Sequence, residues 1–126
     1  MQTILQATNS LVAMPVDSPK KRMYENQVRR LIAGDADGLV DDNYHEHATV
    51  ASFKFEATGH EALKTHFRNF LGAVKILEVL STDNFVETAR GFSFEATVRT
   101  NFGIGKVYDV FVLEGDKVIY HFTGEK

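Results

Sequence analysis

Two periods divide the chain. Up to Val74 apolar residues recur at three- and four-residue spacing; beyond it they alternate with polar ones. In "DSPKKRMYENQVRRLIAGD", Tyr24, Val28, Leu31 and Ile32 mark one helical face, with Gln27 beside it. Ser18 suits the N-cap, Pro19 the first helical position and Gly34 the stop. Asp35 then caps a short second helix, "ADGLVDDNY", with Leu39, Val40 and Tyr44 turned inward. "ATGHEALKTHFRNFLGAV" predicts a third, whose buried stripe is Leu63, Phe67, Phe70 and Leu71. Thr58 and Glu61 stand three apart, the spacing of a capping box.

The alternating part predicts strands at "KILEVLS", "NFVETA", "GFSFEATVRTNF", "GKVYDVFVLEG" and "KVIYHFTG", broken by Gly and Asp. "ATV" and "FKFEA" add a small earlier hairpin. Helices followed by consecutive hairpins imply an α+β domain, an antiparallel sheet covered on one face by helices. Residues 1–17 show no clean period and read as an N-terminal arm, leaving 18–126 as one domain.

Strand parity locates the interior. Phe92, Phe94, Ala96 and Val98 are apolar, while the residues between them are mostly polar. A four-residue "FGIG" loop would set Val98 opposite Asp109, Ala96 opposite Phe111 and Phe94 opposite Leu113. Asp109 then faces the core, a carboxylate on an apolar surface. The next turn has two solutions. A two-residue Gly115–Asp116 loop pairs Asp109 with Phe122 and leaves His121 outside. A three-residue loop sets His121 opposite Asp109. Periodicity does not choose, because both faces of "VIYHFT" carry apolar residues.

Composition narrows the function. The 126 residues suffice for one compact domain. Net charge is −3 with no basic block, which argues against nucleic acid. There is no Cys, so disulfides and thiolate metal sites are excluded. No run reaches the roughly 20 apolar residues of a membrane span. "MQTILQATNSLVAMPVD" lacks the basic start of a signal peptide, so a soluble, cytoplasmic protein is expected.

"LIAGDADGLVDDNYHEHATV", "TGHEALKTHF" and "YDVFVLEGDKVIYHF" together resemble the nuclear-transport-factor-2-like superfamily. That group includes ketosteroid isomerase and the SnoaL-like polyketide cyclases. The resemblance spans about residues 18–126. It implies a cone-shaped, cystatin-like half-barrel, a curved antiparallel sheet wrapped around three helices, with an apolar pocket at the wide end. It favours the three-residue turn and an inward His121. The likeness to ketosteroid isomerase puts Asp109 where that enzyme keeps a protonated, hydrogen-bond-donating Asp. The enzyme's tyrosine position falls at Gln27 and its general base near Ser52, so steroid isomerisation itself is not implied.

"HEH" in "NYHEHATV" invites a metal reading, because His45 and His47 share a face if the segment is extended. No third and fourth ligand at metal spacing accompanies them, and His60 and His66 lie six apart, wrong for one helical face. Neither metal nor cofactor is expected. The resemblance puts the octet at the end of the second helix, with His47 at the pocket entrance. The expected catalytic set is therefore Asp109, His121 and His47. Tyr24, Gln27, Ser52, Phe67, Phe94 and Phe111 would line the ligand site. Asp109 could equally be a buried polar group satisfied by its neighbours. Two functions follow: acid–base isomerisation, cyclisation or dehydration of a small apolar carbonyl compound, or non-catalytic ligand binding or dimerisation. Tyr108, Val110, Val112, Tyr120 and Phe122 would make an outer sheet face apolar enough to pair two copies.

Overall fold

The computed structural model describes residues 17–126, so the N-terminal arm lies, but for Asp17, outside the described residues. Three helices precede most of the sheet: α1 (Pro19–Ala33), α2 (Ala36–Asn43) and α3 (His60–Ala73). The strands are β1 (Tyr44–Ala51), β2 (Glu56–Thr58), β3 (Ile76–Glu87), β4 (Gly91–Thr100), β5 (Gly103–Glu114) and β6 (Lys117–Glu125). They form one open sheet in the order β2-β1-β6-β5-β4-β3.

The helix ends follow from their caps. Ser18 Oγ accepts from Lys21 N, and the Ser18 hydroxyl donates to Glu87, tying the start of α1 to β3. Gly34 closes α1 in the left-handed region at φ 71°, where a side chain would be strained. Asp35 caps α2 through Gly38 N, and this bond together with Arg30 holds its carboxyl below the usual carboxylate range. The expected capping box on α3 does not form. Gly59 is the N-cap, and the Thr58 hydroxyl bonds Thr49 across β1–β2 instead. The segment leaves β2 too late for Thr58 to cap.

Three further expectations are corrected. Of "NYHEHATV" only Asn43 belongs to the helix end; the rest is β1, because Tyr44 already has extended backbone. β1 runs parallel to β6, so the sheet is mixed and not wholly antiparallel. "KILEVLS" and "NFVETA" form one strand, β3, whose pairing to β4 shifts between Asp83 and Val86, with Asn84 at φ 54°. Such irregularities bend a sheet, and this sheet is curved.

The core lies between the helices and the concave sheet face. Leu39, Val40, Val50, Leu63 and Val118 are fully buried. Phe85, Phe92, Phe94 and Phe111 form a run of stacked rings across β3, β4 and β5. Two residues of the predicted stripes are instead exposed, Ile32 and Phe70. No helix among the described residues is long and apolar enough to cross a membrane.

Candidate active site

The two turns that aim β5 and β6 differ from the expected ones. β4 and β5 join through the two-residue turn Asn101–Phe102, so Phe94, not Val98, lies opposite Asp109. The offset is four residues, an even number, and Asp109 keeps its inward face. β5 and β6 join through the two-residue Gly115–Asp116 turn, with Gly115 at φ 64°. That turn alone would leave His121 outside. A bulge at Ile119 reverses the parity: Leu113 pairs with Val118, but Val112 pairs with Tyr120. His121 therefore stands opposite Phe111, inside the sheet, without the three-residue turn.

His121 stacks on Phe111, with ring centroids 4.0 Å apart. Its Nε2 lies 2.6 Å from Asp109 Oδ1, a diagonal contact across β5–β6. Its Nδ1 lies 2.7 Å from the hydroxyl of Tyr44. Gln27 Nε2 donates to that same hydroxyl at 2.8 Å, and Gln27 Oε1 accepts from Asn43 Nδ2 at 2.9 Å. One chain of hydrogen bonds thus runs from Asn43 through Gln27, Tyr44 and His121 to Asp109. Burial, with the nearby Asp109 charge, pushes the Tyr44 phenol far up, so it stays protonated.

This chain ends at a cavity of about 520 Å³. Asp109 and His121 lie on its wall with Phe67, Phe94, Val28 and Leu31. Tyr24, Gln27, Ser52 and Phe111 line it too, so every expected ligand-site residue borders the same space. Tyr24 hydrogen-bonds Thr82 through their hydroxyls. Burial first, and the Asp109 charge after it, raise the Tyr24 phenol as well. His47 is the exception. It is exposed on β1, its backbone N–H donates to His45 Nδ1, and it does not border the cavity. The extended backbone that begins at Tyr44 turns it to the solvent side. Among the described residues no three His, Asp or Glu side chains converge as a metal site would require.

Sequence reasoning missed three site residues. Tyr44 read as core, yet its hydroxyl is the hub of the hydrogen-bond chain. Asn43 had no signal beyond its polarity at a helix end. His66 was set aside on spacing, but it lines the cavity between Phe55, at 4.2 Å, and Phe70. Burial holds its imidazole below the usual histidine range.

No family model and no curated protein matches the chain. Solved structures do match its fold. An NTF2-like protein of unknown function from Burkholderia pseudomallei superposes with a TM-score of 0.69 at 14% identity, over 87% of this chain and 92% of its own. A SnoaL-like protein of unknown function from Burkholderia thailandensis gives 0.68 at 15%, over 89% and 99%. A Sinorhizobium meliloti protein provisionally named a polyketide cyclase gives 0.69 at 13%, over 86% and 100%. The chain has the nuclear-transport-factor-2-like fold, as its motifs implied.

Proposed function

We propose that the protein binds a small apolar carbonyl compound and moves a proton on it, in an isomerisation, cyclisation or dehydration. The observation that carries this reading is a hydrogen-bonded Asp109–His121 pair on the wall of an otherwise aromatic and aliphatic cavity. Excluding water there strengthens each hydrogen bond and leaves few competing partners for a ligand. Asp109 would take a proton from the carbon beside the carbonyl. The electron pair would pass to the carbonyl oxygen, held by the Tyr24 hydroxyl, and the proton would return at a second atom.

The test is deuterium exchange by NMR. Apolar ketones and lactones that raise the thermal midpoint are incubated with protein in D2O, and deuterium is followed at the carbon beside the carbonyl. Wild type should exchange at least about 100-fold faster than Asp109→Asn, within the usual contribution of one acid–base group. Equal rates would end the enzymatic reading.

Ligand carriage is the second reading, and one observation favours it. Gln27, at the position of the isomerase tyrosine, is engaged with Tyr44 and Asn43 and is not a strong acid. In both readings we also infer a second copy on the outer sheet face, where Val110 and Tyr120 are exposed beside Phe122.

A further inference from the structure

The hydrogen-bond chain has a direction, and the direction fixes what the cavity offers a ligand. Asn43 donates to Gln27 Oε1, so the Gln27 amide nitrogen points at Tyr44 and donates to its oxygen. The Tyr44 hydroxyl has one hydrogen, and among the described residues the acceptor beside it is His121 Nδ1. With Nδ1 accepting, the ring's N–H sits on Nε2 and donates to Asp109 Oδ1. Asp109 Oδ1 is thereby an acceptor, and an ionised Asp109 offers Oδ2 as a second one. Its Oδ2 has no hydrogen-bond partner among the described residues. Nor is it sealed away, since Arg30 Nε is the sole buried side-chain polar atom without a partner among them.

We propose that Tyr44 and Gln27 are positioning residues that fix the polarity of the cavity, so that it selects ligands whose polar end donates a hydrogen bond, such as an enol, phenol or N–H, to Asp109 Oδ2. This rests on the proposed ligand site and names its substrate class: the enol form of a carbonyl compound can donate to Asp109 Oδ2, and a bare ether oxygen cannot. It also departs from the isomerase pattern, in which the matching Asp donates. Here the donor into that carboxyl group is His121.

The Asp109→Asn substitution makes the direction measurable. With an Nε2–H donor beside it, the new side-chain amide must turn its carbonyl to His121 and its NH2 to the cavity. The preference should then vanish, because a naphthol oxygen and a methoxy oxygen both accept from that NH2. The probes are 2-naphthol and 2-methoxynaphthalene, which share a ring system and differ in donating a hydrogen bond. Calorimetry should show wild type binding 2-naphthol about ten-fold more tightly, and Asp109→Asn binding the two probes about equally. In Asp109→Asn combined with Tyr44→Phe, Nδ1 loses its donor, the amide can turn its carbonyl to the cavity, and some preference for 2-naphthol should return. Long-range 1H–15N spectra of wild type should show the His121 proton on Nε2.

A proton on Nδ1, or an Asp109→Asn protein that prefers 2-naphthol as strongly as wild type does, overturns the inference, as does failure of wild type to discriminate between the probes. These outcomes are read from binding and spectra alone. Absent deuterium exchange with intact discrimination would sink the proton-transfer reading and leave this one standing.

Discussion

His66 shows how a single side chain can couple the cavity to pH. It is wedged between Phe55 and Phe70, and burial keeps it neutral below its ordinary pKa of about 6.5. Between the two values the unfolded chain carries the extra proton and the folded one does not. Stability should therefore rise with pH through that window and fall as the solution is acidified below about 6.5. His66→Gln removes this component. Urea denaturation at several pH values between 7.5 and 5 (chosen to bracket roughly the histidine range) should give a shallower loss for the variant than for wild type. Parallel curves would mean that His66 is not held neutral. Tyr24 and Tyr44 work in the opposite sense. Their raised values keep the folded protein protonated where the unfolded chain ionises, so alkaline solution should also erode stability.

At the level of strands, the irregular pairings decide where side chains point. The bend in β3 places Asn84 at φ 54°, a region that costs a residue with a Cβ and no local hydrogen-bonding side chain about 1–2 kcal/mol. Asn84→Ala should lose about 1 kcal/mol in urea denaturation, while Asn84→Gly should be close to neutral. A neutral alanine would show that β3 can straighten without penalty. The bulge at Ile119 does more, because it sets the face of every residue after it on β6. Up to that residue the Gly115–Asp116 turn governs; past it, His121 faces in and Tyr120 out. This was not legible in "VIYHFT". Apolar residues on both faces erase the alternation that would reveal parity, and a bulge leaves no local mark of its own.

The outer sheet face is a property of the whole molecule. Val110 and Tyr120 are more than a third exposed, on a surface that water solvates poorly. A C2 dimer would bury the same patch on both copies. Sedimentation velocity should show a dimer for wild type and a monomer for Val110→Asp, with the cavity's ligand affinity unchanged, since Val110 does not line it. A wild-type monomer at the highest soluble concentration would remove the interface.

Local chemistry in the chain determined the helices, the caps of α1 and α2, the strand-rich second half and the inward face of Asp109. These depend on neighbours a few residues apart, and the β4–β5 register could slip by four without turning Asp109 outward. Long-range packing chose the rest. The parallel β1–β6 pairing put Tyr44 beside His121, 77 residues away, and the bulge brought His121 to Asp109. Register is a contact between distant segments, so a periodic pattern can say that a residue alternates but not which partner it meets.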